Sequence, residues 1–216
     1  MSEPTEVSLK QTTVPKTKSK VREYTESILW ALAIALFVRT YVIQAFKIPS
    51  GSMENTLAIG DHLFVNKFIY GIDLPFSNTR ILRIRAPRRG DVVVFKFPLD
   101  PSKDFIKRVI GTPGDVVAVR DKHVYVNGVL YANPHELHKD PNELPGNLSP
   151  RDNFGPVTVP AGSYFMMGDN RDESYDSRFW GFVKDKAILG EAFIKYWSWD
   201  KDKFRPRLGS IGKLIN

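Results

Sequence analysis

From Ile28 to Val38 the chain is unbroken by any polar side chain, reading Ile-Leu-Trp-Ala-Leu-Ala-Ile-Ala-Leu-Phe-Val. Arg39 interrupts the run, and apolar character resumes from Tyr41 to Ile48 around Gln44 and Lys47. Read as one helix, Ile28 to Ile48 reaches roughly 31 Å at about 1.5 Å per residue, long enough for a bilayer. The pattern therefore predicts a transmembrane anchor over residues 27–46, with Arg39 snorkelling toward the headgroups. A cleavable signal peptide is the rival reading, because the uninterrupted core is short. No small-x-small site follows that core cleanly. A surface-lying amphipathic helix does not fit, because Ile28 to Val38 is apolar on every face.

Beyond the anchor the pattern changes to short β-like runs separated by Gly, Pro, Asn and Asp. Leu63 to Phe68 follows Gly60-Asp61, and Val92 to Phe97 follows Gly90-Asp91 and stops at Pro98. Phe105 to Ile110 ends at Gly111-Thr-Pro-Gly-Asp115, after which Val116 to Val119 resumes. His123 to Tyr131 reads as a hairpin turning at Asn127-Gly128. Tyr164 to Met167 and Ala192 to Trp197 complete the strands. Ala132 to Gly155 carries four prolines and no periodicity, and reads as an irregular excursion. No long amphipathic helix appears after the anchor. The class expected is mainly β, an antiparallel β-barrel-like core with an irregular inserted subdomain at about 122–160 and one N-terminal transmembrane helix.

Composition refines the address. At 216 residues there is room for one medium domain and an anchor. The net charge of +7 and pI near 9.5 suit nucleic acid or anionic lipid headgroups equally, and no nucleic-acid module accompanies them. Lys10, Lys16, Lys18, Lys20 and Arg22 precede the anchor, so the positive-inside rule keeps residues 1–26, a basic disordered tail, in the cytoplasm. Residues 47–216 then lie outside, as one domain on the outer face of a plasma membrane. The absence of cysteine excludes disulfides, thiolate metal sites and cysteine nucleophiles. Trp197 and Trp199 suit a membrane interface, though core or rim positions are commoner.

Two serines, Ser50 and Ser52, occupy the Pro/Gly-bent turn Pro49-Ser-Gly-Ser-Met53 directly after the apolar segment. A serine hydroxyl is a weak nucleophile until a neighbouring base takes its proton. His62, His123, His135 and His138 offer no evident Ser-His-Asp arrangement, and His135-Glu-Leu-His138 lacks helical zinc spacing. A lysine serves as the base if an apolar pocket keeps it neutral. Two candidates exist: Lys107, sharing a strand face with Phe105 and Val109, and Lys96, sharing one with Val94 and Val92. Spacing alone leaves both open, and either could be a charge snorkelling from a sheet edge. Gly168-Asp-Asn-Arg-Asp-Glu-Ser-Tyr-Asp-Ser-Arg178 is too polar for a strand and reads as a loop knitted by Asp–Arg pairs and Asx turns.

Taken in order, Ile48-Pro-Ser-Gly-Ser-Met53, Asp104-Phe-Ile-Lys-Arg-Val-Ile-Gly-Thr-Pro-Gly-Asp115 and Gly168 to Arg178 behind an anchor closely resemble bacterial type I signal peptidase, the leader peptidases that cut signal sequences from exported preproteins. Arg89-Gly-Asp-Val-Val-Val-Phe-Lys-Phe-Pro98 looks like a fourth box of that family. The resemblance extends from the anchor to about Gly190. It implies Ser52 as nucleophile and Lys107, rather than Lys96, as general base. It implies an oxyanion hole from the Ser50 hydroxyl and the Ser52 N–H, and Ser174 orienting the Lys107 amine. Asp169, Arg171, Asp176 and Arg178 match the family's loop scaffold. Phe46, Ile48, Pro49, Met53, Phe105 and Ile106 match positions lining pockets for small side chains. Asn55 stands where many relatives have proline, which implies a looser turn after Met53.

The expected protein is thus a serine endopeptidase of a bacterial plasma membrane, single-pass, acting on exported preproteins and contacting membrane lipids. It is expected to bind no nucleic acid, to need no metal or other cofactor, and to be monomeric or weakly associating. Rivals are a Ser/Lys processing peptidase of the conjugation-pilus type, a self-cleaving SOS-type repressor, which would need a helix-turn-helix module absent here, and a non-catalytic β domain that only binds extended peptides.

Overall fold

The computed structural model describes residues 20–73 and 80–216, and the chain divides into two units, 1–37 and 38–216. The expected disordered tail lies outside the described residues as far as residue 19. From Lys20 the chain is helical, so residues 20–26 do not belong to a disordered tail. Helix α1 (Lys20–Tyr41) gains its first turns from an Arg22–Glu26 ion pair at 2.9 Å and from Thr25 and Ser27 hydroxyls donating to carbonyls four residues back.

The anchor prediction needs a correction. Helix α1 stops at Tyr41, and Ile43–Lys47 is a strand, β1, antiparallel to β2 (Asp61–Asn66). The apolar run from Tyr41 to Ile48 fits either period, and ladder bonds to β2 decided it. The uninterrupted apolar part of α1 then covers roughly 16 Å, short of a bilayer core of about 30 Å. Among the described residues no helix is long and apolar enough to cross a membrane.

In the second unit the strands follow the predicted punctuation closely. They are β3 (Ile72–Asp73), β4 (Arg80–Ile81), β5 (Val92–Phe97), β6 (Asp100–Gly111), β7 (Val116–Arg120), β8 (His123–Val126), β9 (Val129–Leu130), β10 (Phe154–Thr158), β11 (Ser163–Met167), β12 (Val183–Lys184), β13 (Ile188–Asp200) and β14 (Arg205–Pro206). The main sheet runs β1-β2-β13-β5-β6-β11-β12 with β14 on β13, and the pairings are antiparallel. The barrel-like expectation is corrected: the sheet is open, because no ladder joins β1 to β12 among the described residues. Bulges along β13 against both its neighbours, and between β6 and β11, bend the sheet without closing it.

A second sheet, β10-β7-β8-β9, contains the Asn127-Gly128 hairpin, with Asn127 and Gly128 both at positive φ. From Ala132 to Asn153 the excursion holds no strand. It is ordered instead by side chains, Arg151 alone reaching Asp140, Asp152 and the Asn142 carbonyl.

Alternation divides the core. On β5, Val92 and Val94 join a cluster with Ile48, Met53, Leu57, Leu63 and Val65, while Val93 and Phe95 join Tyr70, Val109 and Met166 on the other face. On β11, Tyr164 and Met166 face that second cluster, and Phe165 and Met167 face a third under the second sheet. Strands buried on both faces cannot alternate, which is why Val92–Phe97 and Ser163–Met167 read as continuous apolar runs.

Candidate active site

Ser52 sits in the turn-rich connection between β1 and β2. Ile48 extends that ladder by donating to the Asp61 carbonyl and accepting from Gly60 N–H. The chain then folds through Glu54 N–H to Gly51 O (3.0 Å) and Leu57 N–H to Met53 O (2.7 Å). Burial of Met53 and Leu57 anchors the turn to the core, and Ser52 ends only 8% exposed. Asn55 takes a left-handed φ of 83°, which proline's ring forbids. Its side-chain amide donates to the His135 carbonyl at 3.1 Å, so this departure ties the turn to the excursion and does not loosen it.

Lys107 lies in the middle of β6, and its Nζ is 2.6 Å from Ser52 Oγ. Lys107 is 4% exposed and passes 5.5 Å from the centre of the Phe105 ring, on the face it was expected to share. Burial pushes its pKa down from 10.5 to about 8; Asp176 and Asp169 oppose that shift and Arg178 adds to it. Lys96 instead pairs with Asp104 at 2.8 Å with its side chain 41% exposed. Among the described residues no histidine bonds Ser52, and no cluster of His, Asp or Glu could hold a metal ion.

The polar loop packs beneath this contact, and within it Ser177–Trp180 forms a short helix, α2, where only loop was expected. Asp176 caps that helix, accepts Gly168 N–H, and is clamped by Arg178 Nε at 2.9 Å and Nη2 at 2.8 Å. Burial alone would raise the Asp176 pKa, but the Arg178 guanidinium holds it below the carboxylate range. Arg171 is buried against Glu136 of the excursion at 3.0 Å, and burial lowers its pKa. Asp169 receives Arg108 Nε and Nη2, both at 2.8 Å, Thr56 Oγ1 at 2.5 Å and Asn133 Nδ2 at 3.0 Å. Ser174 is buried, but its hydroxyl makes no hydrogen bond to Lys107; it lies against the Asp176 carboxylate.

The six apolar residues separate. Ile48 and Met53 are buried in one cluster with Phe46 and Ile106 packed on it, whereas Phe105 stacks on Phe97 at 4.3 Å in another. Pro49 and Ser50 are exposed. Sequence reasoning missed Arg108, Thr56 and Asn170. Arg108 did leave a signal, since a second cation directly after Lys107 in an apolar strand must point to the opposite face and needs a buried partner there.

Gly168 shows how closely the loop approaches the turn. A Cβ there would lie 2.3 Å from the Ser52 carbonyl oxygen and 2.3 Å from Ser174 Oγ. Gly168→Ala should displace the Ser52 turn from Lys107 and cut turnover by about 100-fold, the usual cost of misplacement near 1 Å. Initial rates on a peptide substrate test this, and a wild-type rate would mean the segment can shift freely.

A seryl hydroxyl against a buried amine of lowered pKa, on an antiparallel β scaffold, is an arrangement that suits a serine hydrolase. A family model described as signal peptidase, peptidase S26, matches residues 21–197. Signal peptidase I of Pseudomonas aeruginosa is 40% identical over 228 residues, covering 89% of this chain and 78% of that protein. Signal peptidase I of Aquifex aeolicus is 36% identical, covering 82% and 84% respectively. A crystal structure of a signal peptidase I from Enterococcus faecalis V583 aligns at 34% identity and TM-score 0.40 over 50% of this chain and 97% of that one. The chain belongs to the signal peptidases of peptidase family S26 and is a serine endopeptidase.

Proposed function

We propose that this chain removes N-terminal signal peptides from exported preproteins with Ser52 as nucleophile and Lys107 as its base. The observation that carries the reading is the 2.6 Å contact between two buried groups, one of them an amine whose pKa is about 8. Neutral Lys107 accepts the Ser52 proton as Oγ attacks the scissile carbonyl. The oxyanion is met by the Ser52 N–H and the Ser50 hydroxyl. Lys107 then gives its proton to the leaving amine of the mature protein, and later takes one from the water that hydrolyses the Ser52 ester.

Substrate geometry is supported by pairing. Strand β11 covers β6 only from Arg108 onward, so the Asp104–Lys107 edge on that side is open to an extended segment. Beside Ser52, the bulk of Ile48, Met53, Phe46 and Ile106 favours small residues at the first and third positions before the cut. The membrane enters through α1, whose Ile28, Leu29, Trp30, Leu32, Ile34, Leu36 and Phe37 are all more than half exposed. Such a band suits a lipid environment, with Lys20 and Arg22 placed to meet anionic headgroups.

The test is cleavage of a purified preprotein in detergent by wild type, Ser52→Ala and Lys107→Ala. Cutting by the wild type alone supports the reading; cutting by Ser52→Ala overturns it. The pH profile has a fixed sign. The base form of Lys107 is lost as pH falls below about 8, so kcat/KM should drop by roughly 100-fold between its plateau and pH 6. A profile flat from pH 6 to 9 would remove Lys107 from the base role.

A further inference from the structure

Asn170 is fully buried and lies against the nucleophile turn from below. Its backbone N–H donates to the Ser52 carbonyl at 3.2 Å, and its Nδ2 donates to the Gly51 carbonyl at 3.2 Å and to Glu173 Oε2 at 2.9 Å. Both partners of Nδ2 are acceptors, so the amide can point only this way. Gly51 C=O and Ser52 N–H belong to one planar trans peptide unit and therefore point in opposite directions. Drawing the carbonyl toward Asn170 aims the Ser52 N–H away from the loop, and that N–H meets no acceptor among the described residues. We infer that Asn170 is a positioning residue, holding the Gly51–Ser52 peptide plane so that the Ser52 N–H is directed at the developing oxyanion before substrate arrives. The inference rests on the reading of Ser52 as nucleophile given above.

Three further observations support it. The Asn170 backbone is held independently of its side chain: Leu137 N–H donates to Asp169 O at 2.8 Å, and Arg171 N–H donates to Leu137 O at 2.9 Å. The path of the loop therefore does not require the amide. Second, Asn170 Oδ1 is buried and meets no donor among the described residues, so the contacts that orient the amide are those of Nδ2. Third, the amide closes a ring. Glu173 accepts from Lys139 Nζ at 2.9 Å, Lys139 reaches Glu54 at 2.6 Å, and Glu54 N–H returns to the same Gly51 carbonyl at 3.0 Å. That carbonyl is thus gripped by two donors linked through the excursion, which gives the unassigned segment around Lys139 a part in the site. Aspartate could not substitute, since it has no donor for the Gly51 carbonyl and would face Glu173 as a like charge.

The experiment uses the full chain in detergent with a preprotein substrate, comparing Asn170→Ala and Glu173→Ala with wild type and Ser52→Ala. An oriented oxyanion donor acts in the transition state alone, so kcat should fall with KM unchanged. Asn170→Ala should lower kcat by about 30- to 100-fold, below the roughly 100- to 1,000-fold of deleting a donor outright. Glu173 is exposed and its replacement leaves the core intact; freeing one side of the amide should lower kcat roughly threefold, so Glu173→Ala carries the test if Asn170→Ala does not fold. A peptide aldehyde ending in alanine, whose hemiacetal oxygen occupies the oxyanion position, should lose affinity by the same factor as kcat/KM. Unchanged kcat in both variants, or a rise in KM alone, overturns the inference while leaving the Ser52 reading intact. Cleavage surviving Ser52→Ala overturns that reading and this inference together.

Discussion

Lys107→Met should abolish cleavage and at the same time make the folded domain more stable. The activity loss follows from the proposed role of Lys107, since removing the base of a serine hydrolase costs roughly four to six orders of magnitude. The stability gain follows from the same burial that lowers the pKa of the amine. Moving its pKa from 10.5 to about 8 corresponds to a penalty of about 3 kcal/mol, at about 1.4 kcal/mol per tenfold change. The sign with pH is definite. Below pH 8 both folded and unfolded states carry the proton, and the penalty is present in full. Between about 8 and 10.5 the unfolded chain binds a proton that the folded one has released, so stability rises with pH. Above that range both are neutral and the penalty is gone. Lys107→Met should therefore be more stable than wild type by about 1–3 kcal/mol at pH 7, with the gain vanishing near pH 11. Denaturant unfolding in detergent at the two pH values measures it. A methionine variant less stable than wild type at pH 7 would show that Lys107 contributes more through its neighbours than it costs through burial.

Asp169→Ala should have the largest effect on folding, a loss of about 3–5 kcal/mol with activity lost as well. Asp169 is 1% exposed and Arg108 2%, so removing the carboxylate strands a guanidinium where water cannot reach it. Thr56 Oγ1 and Asn133 Nδ2 lose an acceptor in the same step. Because Thr56 follows Ser52, Arg108 follows Lys107 and Asn170 follows Asp169, this carboxylate joins three segments that the chemistry needs in register. The double variant Arg108→Met with Asp169→Ala should recover part of the stability by removing the orphaned charge. Strict additivity of the two losses in a double-mutant cycle would mean that the pair is not coupled.

How much of this was legible depends on the range of the interaction involved. The strands at Val92–Phe97 and Val116–Arg120, and the hairpin at Asn127-Gly128, are written in local periodicity and turn chemistry. Strand β1 was missed because a short apolar run after a helix has no period of its own strong enough to end that helix. The Ser174 loop was read correctly as polar and Asp–Arg paired, yet its four-residue helix depends on the Asp176 cap, whose geometry is set by Arg178 and Gly168. For the lysine, alternation supplied two candidates of equal merit, and only the family resemblance chose between them.

By itself, then, the sequence determined a mainly β domain behind an apolar helix, the Pro/Gly-bent turn that carries Ser50 and Ser52, and two candidate lysines, because each is carried by neighbours within a few residues. What only the tertiary structure decided is the closeness of the Lys107–Ser52 contact and the buried partners around it: Arg108 and Thr56 with Asp169, Asn170 with the Gly51 and Ser52 carbonyls, and the excursion with Asp169, Arg171, Glu54 and Glu173 through Leu137 and Lys139. These contacts span tens of residues along the chain. Burial makes them strong, and burial exists only after the sheet has bent its strands around a common core, so no local pattern could encode them.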